Sequence, residues 1–445
     1  MAIEIPWDRY RNQVQDTAVI QHGGRILQIT GLTVESAGPA VQIGEMCHMH
    51  SLDGGNAILG EVVGFRDERV LLMPYGELGG IGPGSRVVST GRSLKVPVGM
   101  ELLGRIVDGM GRPMDGKGSI ETAASYPLDN MPPNPLLRPR IDKPLPLGIR
   151  AIDGFLTIGR GQRVGIFAGS GVGKSTVMSM LARGSTADVN VVVLIGERGR
   201  EVGEFLQRDL GEEGLKRSVV VIATSDQPAI VRVKSAFVGT AIAEYFRDNG
   251  KNVLLMMDSL TRFSMAQREI GMAVGEPPVS RGYTPSVFAL MPRLLERAGN
   301  SPDGSITAMY TVLVEGDDLN EPITDAARGI LDGHIVLSRT MANRNHYPAI
   351  DILASISRLM PEIADQDHKN VAGRLRGYLS VHRDAQDLIN IGAYRAGSNP
   401  EIDRSIALMP VLNAFLQQDV YDSTPYEEML ERLNGLEAGA RQVRA

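Results

Sequence analysis

The amino-acid sequence predicts an α/β protein with a small N-terminal β-domain, a central core built on a largely parallel sheet, and a C-terminal helical domain. Three observations lead to this prediction. Short β-like runs separated by glycines come first, strand-like and helical stretches then alternate, and helical spacing without strands follows from about residue 360. We expect the divisions 1–23, 24–92, 93–360 and 361–445.

Composition limits the class of protein. The 445 residues suffice for two or three domains at roughly 150 residues each. A formal net charge of -6 argues against a general nucleic-acid coat, which would be basic. Cys47 is the single cysteine, so we expect no intrachain disulfide and no zinc site of several cysteines.

The sequence also predicts a cytoplasmic location. No apolar run approaches the length of a bilayer span, and the first 16 residues carry charges where a signal peptide would be apolar. Any membrane contact is therefore expected to be peripheral or through partners.

The N-terminal segment has two interpretations. A short helix after Pro6 would place Trp7, Tyr10 and Val14 on one face, and this face could dock a partner. The same residues could equally be a loosely held terminal segment.

The β-domain is predicted from three alternating runs, Arg25–Ile29, Ala57–Val63 and Arg69–Met73. Runs of this length and spacing indicate a small closed barrel or sandwich. No reactive side chains cluster there, so it is interpreted as an assembly domain.

The core follows a connection rich in Pro, Gly and Asp. Its strand-like runs lie at 164–167, 189–195, 218–222, 252–257, 306–314 and 334–337. Several are separated by helical stretches such as 228–248, which favours a parallel sheet covered on both faces. Ligands of such sheets bind beyond the carboxyl ends of the strands.

The first core strand leads into a phosphate-binding loop. Ala168 stands where the usual pattern has its first glycine, and a small residue at a strand end should suffice there. Glycines let backbone N–H groups surround a polyphosphate at a helix N-terminus. Lys174 would reach the β- and γ-phosphates, and Ser175 would hold Mg²⁺. The predicted nucleoside triphosphate ligands are Gly169, Ser170, Gly171, Val172, Gly173, Lys174, Ser175 and Thr176.

Two further core strands end in acidic residues. Asp258 follows an apolar strand, as expected of the carboxylate that orders the Mg²⁺ shell. Glu197 follows another and is the candidate to activate the attacking water, because the phosphate loop supplies no base. The alternative is that Glu197 and Arg198 form a surface ion pair.

Several segments resemble the rotary ATPases, whose catalytic subunits have a β-barrel, a RecA-like core and a helical C-terminal domain. Those segments are 196–198, 275–278, 282–288 and 348–357. Within that superfamily the chain is similar to the ATPases of flagellar type III export, through residues 150–157, 159–163, 314–322 and 331–339. The injectisome ATPases of virulence secretion share most of these sequence segments and remain an alternative.

The resemblance implies roles for further residues. Arg198 and Arg262 would lie beside the phosphates, and Arg358 would be the arginine finger given to the neighbouring subunit's site. Tyr347 would stack on adenine, although the residue pattern alone favours a core position for it. A finger stabilises the charge of the γ-phosphoryl transition state, and a chain with both loop and finger can close identical sites around a ring. We therefore expect a homohexamer that hydrolyses ATP with Mg²⁺ and is poorly active as a monomer.

Three functions are compatible with the sequence. A protein-export ATPase would release or unfold exported subunits, and its expected partners are regulator or stator proteins, a stalk, export substrates with their chaperones, and the inner-membrane export gate. A rotary ATP synthase catalytic subunit is the second. A hexameric RNA helicase is the third, and the acidic balance and few aromatics in 24–92 disfavour it, so no nucleic acid is expected. The acidic turn 317–321 either faces a central stalk or is a solvated loop.

Overall fold

The computed structural model describes residues 23–314, 316 and 318–442. The predicted N-terminal helix with its docking face lies outside the described residues, and so does Asp317 of the acidic turn.

The N-terminal domain is a closed antiparallel barrel, which decides between the barrel and the sandwich. Its strands follow the order β1-β2-β5-β4-β3-β6, and β1 pairs with β6 to close it. Alternate side chains fill the interior, among them Val34, Met49 and Leu72, each fully buried. The strands are β1 Gly23–Thr30, β2 Thr33–Ala37, β3 Glu45–Met49, β4 Ile58–Arg66, β5 Arg69–Pro74 and β6 Arg86–Ser93.

The connection to the core contains strands that the sequence analysis missed. β7 (Lys95–Val98) pairs with β9 (Ala124–Pro127) in a separate two-stranded sheet. β8 (Ile106–Asp108) joins the central sheet in parallel beside Ser218–Ala223. These strands have only three or four residues, which is too short a pattern to be distinguished from the turns around them.

The central sheet is largely parallel, as predicted, with the order β17-β16-β10-β15-β13-β11-β12-β8 and β14 beside β15. Among the described strands of this sheet, only β14 and β17 run antiparallel to their neighbours. The strands are β10 Arg163–Ala168, β11 Val189–Ile195, β12 Ser218–Ala223, β13 Asn252–Asp258, β14 Gly299–Asn300, β15 Ser305–Leu313, β16 Gly333–Leu337 and β17 Ile356–Ser357.

Helices cover both faces of this sheet. In β11, Val191 and Val193 pack in one buried cluster and Val192 and Leu194 in another, which explains the uninterrupted apolar run from Val191 to Ile195. The core helices are α1 Arg150–Phe155, α2 Lys174–Gly184, α3 Gly199–Glu204, α4 Gly211–Lys216, α5 Ala229–Asp248, α6 Leu260–Val274, α7 Pro285–Leu295, α8 Pro322–Ile330 and α9 Arg339–Asn343, with a π-helical turn at Phe205–Leu210.

A fully buried ion pair links α5 to the end of α7. The Arg297 guanidinium donates to both Glu244 oxygens at 2.8 and 2.6 Å, and to the Leu128 carbonyl. The two side chains are 2% and 0% exposed. The carboxylate also accepts from Asn130 at 3.1 Å, so this buried charge pair has several hydrogen-bond partners.

The C-terminal domain is helical, as predicted. Arg150 of the core donates to the Phe415 and Gln417 carbonyls and to Asp422, which fastens this domain to α1. Among the helices in the described part of the chain, none combines the length and apolar character needed to cross a bilayer. The helices are α10 Met360–Ile363, α11 Gln366–Asn390, α12 Pro400–Leu416 and α13 Tyr426–Gln442.

Candidate active site

The predicted phosphate loop lies between β10 and α2. Ala168, which replaces the first glycine of the usual loop pattern, is the last residue of β10. It is 1% exposed, so its small side chain is accommodated in the buried end of the strand. Gly171 and Gly173 have φ of 76° and 94°, in the left-handed region that favours glycine. Val172 is 1% exposed, and its burial anchors the loop. The N–H groups of the loop directly precede the first turn of α2, which contains Ser175 and Thr176.

Lys174 joins the ends of two strands. Its Nζ lies 2.5 Å from an Asp258 carboxylate oxygen, at the end of β13, and 3.5 Å from Glu197, just after β11. The Lys174 and Asp258 side chains are 12% and 6% exposed. β11 and β13 are adjacent parallel strands, so their carboxyl ends bring both carboxylates to one edge.

Arg262 completes this cluster from α6. Its guanidinium donates to the Gly196 carbonyl at 2.6 Å, and its Nε lies 3.2 Å from a Glu197 oxygen. Glu197 is 7% exposed, which removes the alternative of a surface ion pair with Arg198.

Burial changes the acidity of the cluster. Burial and the Asp258 charge raise the pKa of Glu197 to about 7, while Lys174 and Arg262 act in the opposite direction. Burial disfavours the Lys174 ammonium, but the Asp258 and Glu197 charges outweigh it and raise the pKa of Lys174. The lysine is therefore charged, and Glu197 changes protonation near neutral pH.

Two predicted site residues lie elsewhere. The Arg198 side chain is 73% exposed and pairs with Glu201 at 3.3 Å, so it does not contact the Lys174 cluster. Arg358 follows β17, and its N–H donates to the Asp332 carbonyl just before β16 begins. β10 and β16 are parallel neighbours, and Ala168 at the end of β10 pairs with Leu337. Asp332 lies five residues before Leu337. At roughly 3.3 Å for each residue, Asp332 is about 17 Å from the end of the sheet where the phosphate loop lies.

Tyr347 lies beside the phosphate loop. Its ring carbons are 3.5 and 3.6 Å from the point where a Cβ on Gly173 would stand, and the residue is 38% exposed. Tyr347 is therefore partly exposed next to the loop. This differs from the fully packed core position that the residue pattern alone favoured.

The sequence analysis missed three neighbours of the site. Thr311 of β15 donates to Asp258 at 2.7 Å, Glu201 shares a hydrogen bond with Glu197, and Arg339 of α9 donates to the Ser170 carbonyl at 3.2 Å. The sequence does not single out Thr311, because Ser305, Thr307 and Tyr310 also place hydroxyls in β15. The other two depend on how separate elements meet.

Oxygen ligands suitable for Mg²⁺ are present at the loop. Ser175 is exposed at the start of α2, and Asp258 presents a carboxylate close to Lys174. In the described ranges no group of three or more His, Cys, Asp or Glu could hold a metal ion. Ser175 and Asp258 fit Mg²⁺ held partly by phosphate oxygens, which is the ion's usual mode of binding.

A glycine loop at a helix N-terminus, an ammonium and a buried carboxylate suit a bound polyphosphate and an attacking water. The molecule is thus a P-loop nucleoside triphosphatase with a parallel-sheet core.

Comparison with protein families gives the particular class. Residues 148–357 match the nucleotide-binding domain of the ATP synthase alpha/beta family, and residues 26–91 match the beta-barrel domain of that family. Residues 364–435 match the C-terminal domain of the T3SS EscN ATPases.

Similar proteins cover nearly the whole chain. The flagellum-specific ATP synthase of Bacillus subtilis is 54% identical over 414 residues, 93% of this chain and 94% of that protein. The type 3 secretion system ATPase of Xanthomonas euvesicatoria is 52% identical over 419 residues, 94% and 95% of the two chains.

Solved structures of type III secretion ATPases are similar to this chain as well. The assembled ATPase EscN of the enteropathogenic E. coli type III secretion system is 46% identical with a TM-score of 0.88, covering 93% of this chain and 99% of that one. EscN in complex with its central stalk EscO gives a TM-score of 0.86 at the same identity and coverage. The chain belongs to the family of flagellar and type III secretion ATPases within the ATP synthase alpha/beta family.

Proposed function

We propose that this protein is the ATP-hydrolysing motor subunit of a flagellar type III export apparatus, driving chaperone release or unfolding of exported subunits. The observation that supports hydrolysis is the contact of Lys174 with both Asp258 and Glu197 at the end of the phosphate loop. The name of the Bacillus relative favours the flagellar system. The Xanthomonas relative and EscN favour an injectisome, which is the second candidate.

Each residue of the cluster has a part in the reaction. The loop N–H groups and Lys174 bind the β- and γ-phosphates, exchanging the carboxylates that Lys174 now contacts for phosphate oxygens. Ser175 and Asp258 would hold Mg²⁺, which neutralises phosphate charge when bound. Thr311 fixes the Asp258 carboxylate through its hydrogen bond.

Glu197 is the base in this proposal. Ionised Glu197 takes a proton from the water that attacks the γ-phosphorus, while the bond from that phosphorus to the β–γ bridging oxygen breaks and ADP leaves. The Glu197 pKa of about 7 suits proton transfer at neutral pH. Arg262 orients the Glu197 carboxylate, because the Arg262 guanidinium is itself held in place by its hydrogen bond to the Gly196 carbonyl. Tyr347 would stack on the adenine beside Gly173. The exposed Arg198 side chain would reach phosphate by leaving Glu201.

Arg358 acts on the neighbouring subunit in this proposal. Its place at the far end of the sheet supports action in trans, since it is too distant from its own phosphate loop. A homohexameric ring would bring that end against the next subunit's site.

The partners follow from the same family. The EscN complex with a central stalk supports a stalk partner here, with 317–321 as its candidate contact. Within that turn Asp318 already pairs with Arg281 at 3.0 Å. Stator or regulator proteins, export substrates with chaperones, and peripheral contact with the cytoplasmic membrane at the export gate complete the proposal.

The test is genetic. The gene is disrupted in its host and complemented with the natural chain or with Glu197→Gln. We expect the disrupted strain to lack flagella, the natural gene to restore them, and Glu197→Gln to fail although the protein accumulates. Normal flagella combined with loss of secreted effectors would overturn the flagellar assignment in favour of an injectisome.

A further inference from the structure

A cavity lies outside the site described above, between the core and the helical domain. Its volume is about 300 Å³, against roughly 30 Å³ for one water molecule in the liquid. Its walls come from residues 341–353, which follow the start of α9, and from α11 and α12. The cavity is therefore large enough for a small polar ligand and touches two domains.

Polar side chains without partners converge on this cavity. They are Arg344, His346, His382, Gln386 and Asn413. Within the described part of the chain, none of these five side chains makes a hydrogen bond or an ion pair. Their amides, imidazoles and guanidinium offer several hydrogen-bond donors from three separate elements.

His346 shows most clearly that a partner is missing. The residue is 8% exposed, and its Nε2 is buried with no hydrogen-bond partner among the described residues. A buried polar atom without a partner costs free energy, because it has lost its water. A ligand supplied from outside the chain would remove this cost.

The charge of the cavity favours an anion. Arg344 and Arg383 are the two cations of its lining, and Asp351 is the one acid there. The Asp351 charge is already matched by Arg383 at 2.6 Å and by the N–H groups of Leu353 and Ala354, both at 3.0 Å. Arg344 thus remains as an uncompensated positive charge.

The two histidines add donors rather than charge. Burial lowers the pKa of His346. Burial, followed by the Arg344 charge, lowers the pKa of His382, which also shows that Arg344 and His382 are close. Both rings are neutral near pH 7, and each keeps one N–H donor.

We propose that this cavity binds a small tetrahedral oxyanion, either inorganic phosphate or the phosphate of a phosphomonoester. Arg344 supplies the charge-assisted contact on the exposed side, and His346, His382, Gln386 and Asn413 supply the remaining hydrogen bonds. A phosphate has more acceptor positions than a carboxylate, which matches the number of converging side chains.

The site is distinct from the nucleotide site, although the two are adjacent along the chain. His346 directly precedes Tyr347, whose carbonyl accepts from the Gln418 N–H just after α12. An anion in the cavity would hold α11 and α12 to the segment that positions Tyr347. This inference does not depend on the proposed export function.

The experiment measures phosphate binding to the full chain with its nucleotide site disabled. Lys174→Ala removes the phosphate-loop ammonium, and inorganic phosphate is then titrated by isothermal calorimetry at constant ionic strength. We expect one phosphate per chain. Adding Arg344→Gln and His382→Gln in this background should weaken binding at least tenfold, while Arg395→Gln, an exposed arginine after α11, should not change it.

A second measurement keeps the result independent of variant folding. In the Lys174→Ala chain, phosphate should shift the imidazole ¹⁵N resonances of His346 and His382. Tighter binding of glycerol 3-phosphate than of phosphate would identify a phosphomonoester ligand, and the reverse would identify free phosphate. Absence of binding in Lys174→Ala, or binding unchanged in the double Gln variant, would overturn the proposal.

Discussion

Replacing Arg358 with alanine should leave ATP binding to each chain intact and nearly abolish hydrolysis by the assembled ring. Arg358 is exposed, and its side chain donates to the Arg328 carbonyl, so its removal costs the isolated chain little. The expected loss in rate is roughly 10³- to 10⁵-fold, the contribution typical of an arginine finger.

The sharper form of this test mixes two inactive variants. Lys174→Ala lacks a working site but keeps its finger, and Arg358→Ala keeps its site but lacks the finger. In rings assembled at random from equal amounts, half of the sites retain Lys174 and half of those face a neighbour with Arg358, so about a quarter should regain function. Phosphate release is measured with Mg²⁺ and ATP at concentrations where the chains assemble.

The separation within one chain makes this outcome specific. The Arg358 N–H donates to the Asp332 carbonyl, and Asp332 lies about 17 Å by the strand rise from the ends of β10 and β16 that meet the phosphate loop. A finger acting in cis would give no recovery on mixing. An inactive mixture in which both variants assemble, or an Arg358→Ala chain as active as an Arg395→Ala control, would refute the reasoning.

Three further predictions concern the site and the core. Because only ionised Glu197 can accept a proton, kcat/KM for ATP should rise as pH increases through about 7. The Glu197→Gln variant should lack this rise and should hydrolyse ATP roughly 10²- to 10⁴-fold more slowly. A flat profile of kcat/KM for the natural chain from about pH 6 to 8 would contradict the assignment. Tyr347→Ala should weaken ATP binding by about 1–3 kcal/mol while Tyr347→Phe binds normally, as checked by nucleotide titration, and equal affinities would exclude stacking. Arg297→Met leaves the buried Glu244 charge unpaired and should lower the free energy of unfolding, measured in urea, by roughly 3–5 kcal/mol. The control Arg432→Met breaks an exposed helical ion pair and should lower it by about 0.5 kcal/mol or less. Similar losses in the two variants would contradict a stabilising role for the buried pair.

The phosphate loop could be predicted from sequence because its structure is local. The glycine positions, the lysine and the strand before them are consecutive, and the backbone angles of Gly171 and Gly173 are those that glycine permits. The strand ends at Glu197 and Asp258 were also predictable, since parallel strands place their carboxyl ends at one edge. The small strand β8 was not, because a three-residue run has no readable period.

Distances between elements decided the rest. The sequence treats Arg198 and Arg262 alike, but the structure places Arg262 on Glu197 and leaves Arg198 exposed with Glu201. The Thr311 contact with Asp258 depends on the register of β13 and β15.

The sequence by itself determined that the chain has a small β-domain, a parallel nucleotide-binding sheet and a helical domain, and that it presents a phosphate loop with two acids. Local periodicity and consecutive residues are enough for these features. Only the tertiary structure decided which arginine meets Glu197, that Arg358 lies at the far end of the sheet, and that five unpartnered polar side chains surround a cavity beside the helical domain. Those facts depend on packing between elements distant in sequence, and a linear pattern holds no information on such distances.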